Sequence, residues 1–241
     1  MTLARDGYRE IAIISLLFGG ATAILAVKFW PAAIVTGIIW LAGLAFFRVP
    51  NRRIPLGPGL LISPADGKVT DITPIPHEPN IGGPALRIGI FLSVFDVHVN
   101  RSPCDARVVK TQYKPGEFLD ARHPQCGERN EANTAVLDPD APIPGPIVVR
   151  QIAGLIARRI VCRLAPQQQV SRGELFGLIK FGSRTELIVP ADRGLEPAVS
   201  IGQRVAGGTT ILMRLTSAAS RETPHENRRK DRPEAASAPT A

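Results

Sequence analysis

The dipeptide Gly182-Ser183 lies inside "IKFGSRTELIVP", between two strand-like runs, Leu178–Phe181 and Thr185–Val189. A Gly-Ser pair ordinarily marks a turn and keeps company with another Gly, an Asn, an Asp or a Pro. Here the β-branched pattern resumes at once. One reading needs no chemistry: a glycine inside a strand marks a bulge or an unusual backbone conformation. The other reading is a reaction. A serine hydroxyl after a strained peptide can attack the preceding carbonyl through a five-membered ring, turning the amide into an ester. A poor nucleophile of this kind needs a nearby base and a fixed geometry. If a base then removes the serine α-proton, the ester leaves by elimination. The new amino terminus is dehydroalanine, which hydrolyses to a pyruvoyl group. Such a ketone takes an amine as a Schiff base and serves as an electron sink, the part PLP plays elsewhere. The chain carries no PLP or dinucleotide motif. From these residues alone, bulge and self-cleavage both stand.

The elements around this pair divide the chain. Two apolar runs come first, Ile11–Val27 and Ala32–Phe47, split by Lys28-Phe29-Trp30-Pro31. Each is at or just below the short end of what spans a ~30 Å hydrocarbon core. Pro31 suits a turn or the first position of a second helix. Arg5 and Arg9 precede the pair and Arg48, Arg52 and Arg53 follow it, so a helical hairpin with both ends in the cytoplasm fits the positive-inside rule. A signal peptide cut near Ala21-Thr22-Ala23 is opposed by Asp6 and Glu10 in its n-region and by the second apolar run. A buried core hairpin lacks a matching helical partner downstream.

From Leu60 the texture changes to short strands punctuated by Gly and Pro, as in "LLISPADGKVTDI" with its turn signal Pro64-Ala65-Asp66-Gly67. "QVSRGELFGLIKF" and "AVSIGQRVAGGTTILMRL" share a V-S-x-G opening, which predicts two similar β-hairpin units. "FLDARHPQCGERNEANTAVL" reads as irregular or partly helical before a strand. The expected fold is therefore mainly β, a compact antiparallel β domain with few short helices, preceded by an N-terminal apolar α-helical hairpin. The expected divisions are a membrane-associating hairpin over 1–53, a catalytic β domain over 54–215, and a tail over 216–241 with too little apolar surface to fold.

A net charge of +8 points to an anionic partner, nucleic acid or an acidic membrane surface. Aromatic residues are only 5% of the chain and no zinc spacing or basic helix is present, which argues against nucleic acid. Cys104, Cys126 and Cys162 form neither a CxxC pair nor a disulfide framework, as expected of structural thiols in a reducing compartment.

Six stretches, in order along the chain, carry a resemblance: "SPADGKV", "FLSVFDVHVNRSP", "YKPGEF", "ERNEAN", "QIAGLIARRIVC" and "KFGSRTELIVP". Together with the paired apolar N-terminus they resemble the phosphatidylserine decarboxylase proenzyme family in its short form, which lacks the long N-terminal extension. The resemblance implies self-cleavage between Gly182 and Ser183, giving a β chain of 1–182 and an α chain of 183–241 as a heterodimer open to further oligomerisation. It implies a pyruvoyl group made from Ser183 as the cofactor, with no metal, PLP or nucleotide. It implies a Schiff base with the amine of phosphatidylserine, loss of carbon dioxide and release of phosphatidylethanolamine. The partners implied are an anionic phospholipid and the cell membrane, with the catalytic domain on the cytoplasmic side.

By the same resemblance, Asp66 matches an Asp that acts in processing. His98 matches the first of two histidines and is associated with decarboxylation. The second histidine falls near Arg101 here, so His98 does both jobs or Asp66 acts directly. The residue types suit these roles. An imidazole titrates near neutrality and moves one proton each way. An Asp beside Gly67 could orient it, or serve as a base if burial raised its pKa. The plainer alternatives are a backbone-bonded histidine and an Asp-Gly turn. His77 and His225 lie in polar, Pro-flanked stretches, whereas His123 could line a site. Arg101, Lys114 and Arg184 are candidates for the substrate's phosphate or carboxylate, although an exposed cation is usually only solvated. Two rivals are decarboxylation of a related serine-headgroup lipid and a lipoyl- or biotinyl-like carrier barrel loaded at Lys68. A membrane-anchored β scaffold without chemistry is a third.

Overall fold

The first apolar run folds as one helix, Arg5–Lys28, with a π-helical stretch at Ser15–Gly19, and the second as Trp30–Phe46. In this computed structural model, residues 2–155, 159–180 and 182–216 are described. Phe29 breaks the two helices at φ −157°, and Pro31 sits in the first turn of the second, where its missing N–H costs nothing. Small and hydroxyl residues let the helices approach: Thr22 Oγ1 donates to Thr36 Oγ1 at 2.9 Å and Trp40 Nε1 to Ser15 Oγ at 3.1 Å. Their outer faces leave Leu16, Ile24, Val27, Trp30 and Ile38 exposed. Arg5–Lys28, at 24 residues, is long and apolar enough to cross a membrane, and Trp30–Phe46 is shorter.

The foot of this hairpin is built into the β structure. Thr2–Leu3 pairs with Arg48–Val49, and Ala4, Phe46, Phe47 and Val49 share a hydrophobic cluster with Val97, Val99 and Leu178. Two ion pairs bolt the first helix down, Asp6–Arg163 at 2.7 Å and Glu10–Lys180 at 2.7 Å.

The remainder is mainly antiparallel β. An eight-stranded sheet runs in the order Gln169–Val170, Ala106–Lys114, Ala132–Pro139, Ile147–Ile152, Ser183–Pro190, Gly83–Leu92, Gly67–Glu78, Arg204–Val205. Ser183–Pro190 is interior and buried throughout, so its apolar run reads as continuous rather than alternating. One three-stranded sheet holds Ile160–Cys162, Leu175–Ile179 and Val99–Arg101, and another holds Leu195–Pro197, Ile211–Leu215 and Leu60–Ile62. The main core gathers Leu61, Ile88, Ile90, Leu137, Ile147, Leu187 and Leu212.

The strand break at Gly182-Ser183 has a topological cause. Leu175–Ile179 belongs to a three-stranded sheet and Ser183–Pro190 to the eight-stranded one, so the chain changes sheets between them. The expected irregular segment carries one short helix, Cys126–Arg129, before the strand Ala132–Pro139. The expected pair of β-hairpins does not form. The V-S-x-G repeat instead builds the same turn twice: Ser171 N–H donates to Glu174 Oε2 at 2.8 Å and Ser200 N–H to Gln203 Oε1 at 3.1 Å. The strands that follow enter different sheets, because a turn motif sets local geometry and not pairing partners. The tail expected over 216–241 lies, from 217 on, outside the described residues, as does His225.

Candidate active site

Ser183 opens the central strand opposite Leu92, at the edge where the chain arrives from the neighbouring sheet. Its hydroxyl oxygen is fully buried and makes no hydrogen bond to any described residue. A buried hydroxyl left unpaired costs on the order of 1–3 kcal/mol, and the described residues leave this group unsatisfied. Gly182 has φ +62°, the left-handed region that glycine enters without penalty. Its carbonyl oxygen lies against Gly154, where an added Cβ would come within 2.2 Å. The scissile carbonyl of the expected reaction therefore occupies space that only a glycine at 154 leaves open.

His98 reaches the N–H of Gly182, one peptide before the Gly182–Ser183 bond, from the turn before Val99–Arg101. Nε2 accepts the Gly182 N–H at 3.3 Å, and Nδ1 meets the Asp96 carbonyl at 2.9 Å. These partners fix the tautomer: Nδ1 carries the proton and Nε2 presents its lone pair to Gly182. The ring is fully buried and lies 4.2 Å, centroid to centroid, from Phe46 at the end of the second helix. Burial drives its pKa down to about 4, only partly countered by the Asp96 carbonyl, so the imidazole is neutral at physiological pH.

Asp66 sits in the Pro64–Gly67 turn, as the sequence suggests, and its carboxylate does not orient His98. It accepts from Arg52 Nη2 and from the Gly207 N–H, each at 2.7 Å. Burial raises its pKa, while Arg52 and the Gly207 N–H pull the other way. The orientation of His98 comes from the backbone of Asp96, two residues earlier, a hydrogen bond that residue types do not reveal. Arg101 is also engaged elsewhere. Its guanidinium clamps Gly173 O at 2.8 Å and Pro50 O at 3.0 Å, which tethers the segment after the hairpin.

Sequence reasoning passed over the polar layer beside Ser183. Thr185 shares the Ser183 side of the strand, since side chains alternate. Its hydroxyl accepts from Asn100 Nδ2 at 3.1 Å, and Asn100 Oδ1 in turn accepts from Gln151 Nε2 at 2.8 Å. Asn100 stands in "FDVHVNRSP" and Gln151 in "QIAGLIARRIVC", so both were within quoted motifs without drawing notice.

Arg184 points to the opposite side, into an ion cluster. Nη1 pairs with Asp71 at 2.7 Å and Nε with Glu186 at 2.9 Å, with Arg87 and Arg150 closing on Glu186 from outside. Despite burial, Asp71 and Glu186 hold the guanidinium pKa above its ordinary value, and Arg184 in turn holds Asp71 below the usual carboxylate range. The cation expected to greet an anionic substrate is thus already neutralised.

Lys114 is exposed and donates to the Glu128 carbonyl. His77 is exposed, and the exposed His123 lines a 350 Å³ polar pocket on the Arg184 side. Lys68 is paired on both flanks, with Phe91 and Arg204, and is not at a hairpin tip as a carrier lysine would be. Burial pushes the Cys104 thiol up to about 12 and also raises Cys126 and Cys162, so all three are inert at neutral pH. A cleft of 450 Å³ opens beside Gly182, lined by Phe91, Ser93, Val94, Ala121, Arg122 and Leu155 among others.

Comparison with known proteins bears on this geometry. The family model for phosphatidylserine decarboxylase matches residues 42–213. A phosphatidylserine decarboxylase proenzyme of Rhodopirellula baltica is 41% identical over 216 residues, covering 89% of this chain and 88% of that protein. One from Zymomonas mobilis subsp. mobilis is 42% identical over 197 residues, covering 79% and 77%.

Proposed function

The chain belongs to the phosphatidylserine decarboxylase family, a family of carboxy-lyases, and on that premise we propose that it cuts itself at Gly182-Ser183 and then decarboxylates phosphatidylserine. The observation that carries this reading is the buried, unpaired Ser183 hydroxyl following a positive-φ glycine whose N–H meets His98 Nε2.

In the first step the Ser183 Oγ–C bond to the Gly182 carbonyl forms, the Gly182–Ser183 amide bond breaks, and the hydroxyl proton passes to the departing nitrogen. In the second a base takes the Ser183 α-proton and the Oγ–Cβ bond breaks, leaving the Gly182 carboxylate and a dehydroalanine. Water then replaces the nitrogen, which leaves as ammonia. The residues present fit the resulting pyruvoyl group: the serine Oγ leaves with the Gly182 carboxylate, a methyl takes the place of the buried hydroxymethyl, and no described residue loses a hydrogen bond to that oxygen. When formed, that group supplies a carbonyl that condenses with a primary amine and draws electrons from the bond to the carboxylate.

His98 serves both stages. Its neutral Nε2, held at the Gly182 N–H one peptide before the bond to be cut, moves the proton during cleavage, and in turnover it returns a proton beside the same residue. Asp66 acts by position. With Arg52 and Gly207 it fixes the turn whose Pro64 carbonyl takes the Arg101 N–H, and so seats the strand that follows His98. The hairpin inserts in the membrane from the cytoplasmic side, and the two chains remain together because Ser183–Pro190 is hydrogen-bonded between strands of the larger chain.

Intact-mass analysis tests the reading. Wild type is expected as two chains, the smaller beginning at residue 183 with a ketone in place of its amine, and Ser183→Ala as one uncut, inactive chain. A single full-length species in active wild-type protein would sink it.

A further inference from the structure

The turn Ser93–Asp96 carries two large apolar side chains at its tip, Val94 at 39% exposure and Phe95 at 84%. The turn is rigid. Asp96 Oδ2 accepts from Ser93 N–H at 2.8 Å and Ser93 Oγ at 2.7 Å, while Asp96 N–H returns to Ser93 O at 3.0 Å. Arg48 Nη2 holds the Phe95 carbonyl at 2.7 Å, and Arg48 Nη1 holds Ala45 O, at the end of the second helix, at 2.8 Å. Phe95 is therefore displayed outward from a turn fastened to the foot of the hairpin. Among the described residues, its ring is left out of the core.

Across the cleft beside Gly182, Leu155 is 63% exposed, so the mouth is rimmed by apolar side chains on two sides. The first helix, at ~1.5 Å per residue, is roughly 36 Å long. That matches a ~30 Å hydrocarbon core plus its border. With the hairpin inserted tip first, its foot stands at the headgroup layer, and the Ser93–Asp96 turn stands there with it. The exposed cations Arg5, Arg9 and Arg53 flank this foot along the chain, complementary to an anionic lipid surface.

We propose that the Ser93–Asp96 turn is a bilayer-docking element of the catalytic domain itself, with Phe95 entering the acyl border so that the Gly182 cleft opens onto the lipid surface. This rests on the membrane reading of the hairpin given above. A preformed turn loses little conformational entropy on insertion, and an exposed Phe fixed beside charged groups is the pattern of an interfacial anchor. The lipid substrate then enters the cleft from within the headgroup layer, without leaving the membrane.

The test is a nitroxide attached to Phe95→Cys in the full chain, reconstituted in phosphatidylcholine–phosphatidylglycerol vesicles, with the labelled wild type as background. Greater accessibility to oxygen than to a water-soluble nickel complex is the expected result. Dominant access by nickel would place the turn in water and overturn the proposal. Protection from both reagents would indicate contact with a second copy or another protein and overturn it equally.

The enzyme Phe95→Ser adds a second readout. It is expected to be cut normally and to turn over a monomeric short-chain phosphatidylserine at the wild-type rate, yet to lose about tenfold on the same headgroup in vesicles. Equal vesicle activity would count against docking. A wild-type chain that never cuts would instead overturn the proposed function and leave the depth measurement standing.

Discussion

His98 Nε2 faces the N–H of Gly182 at 3.3 Å while its Nδ1 is held by the Asp96 carbonyl at 2.9 Å, so the buried ring is neutral and aimed at one peptide. The residue before the proposed cut and the residue proposed to move its proton are 84 positions apart in sequence.

That relationship makes stability pH-dependent. The folded-state pKa of His98, about 4, lies below its ordinary 6.5, so the unfolded chain binds the extra proton as pH falls. Stability is intact above about pH 6.5 and is lost from there down to about pH 4, on the order of 3 kcal/mol in all. In the uncut Ser183→Ala background, His98→Gln is expected to remove roughly 2 kcal/mol of the loss between pH 7 and pH 5. Urea titrations in detergent at the two pH values measure it, and equal slopes with and without His98 would refute the burial argument.

Two glycines separate strain from space. Among the described residues, an added Cβ at Gly182 would have only Val94 nearby, at 3.9 Å, so Gly182→Ala suffers from its φ of +62° and not from a clash with them. A left-handed alanine costs ~1–2 kcal/mol, and the chain is expected to fold and cut roughly five- to thirtyfold more slowly. Gly154→Ala instead drives a methyl against the Gly182 carbonyl and is expected to stop cutting. Time courses of chain separation on denaturing gels distinguish the two, and Gly154→Ala cutting at the wild-type rate would show that the carbonyl can move away.

Asp66→Asn keeps an acceptor for the Gly207 N–H and loses the Arg52 ion pair. A positioning role predicts slowing of self-cleavage by less than about tenfold for Asn and by more for Ala. Should Asn alone abolish cutting in a folded protein, the carboxylate is the processing base and His98 is left with decarboxylation.

Arg184→Ala takes the nearest cation from Glu186, whose side chain is 1% exposed, and from Asp71, leaving them the longer contacts of Arg87 and Arg150. Removing one partner of a buried pair costs about 3–5 kcal/mol, of which the remaining arginines offset a part. The expected outcome is a large drop in the urea midpoint of the uncut Ser183→Ala protein. A substrate-binding arginine would instead leave stability alone and raise KM, and that result would reverse the assignment.

Much was legible in the residues. Short β-branched runs between Gly and Pro announced a β fold, because a strand must alternate or be buried and must turn every few residues. The apolar runs announced helices, since a charge-free stretch of that length satisfies its backbone only by itself. The Gly-Ser pair was noticed because it broke a strand without an accompanying turn signal, and the resemblance of six ordered stretches turned that oddity into a family.

Other parts depended on contacts between distant segments. The V-S-x-G repeat encoded two alike turns, yet which strand each would pair with was decided by the sheets already present. Arg101 and Arg184 looked like free cations because a sequence lists charges without their partners, and the fold gave one to carbonyls and the other to Asp71 and Glu186. Asp66 proved to be held by Arg52 and Gly207.

The sequence by itself determined which atoms could react: a serine after a glycine, a histidine in "FDVHVNR", and an apolar hairpin suited to lipid. Only the tertiary structure decided that the serine hydroxyl is buried and without a partner among the described residues, that the imidazole is neutral and turned to Gly182, and that Phe46 at the hairpin foot covers it. The physical reason is that composition and local order set conformation and polarity along the chain, whereas desolvation, tautomer and reach arise only when residues far apart exclude water from the same few ångströms.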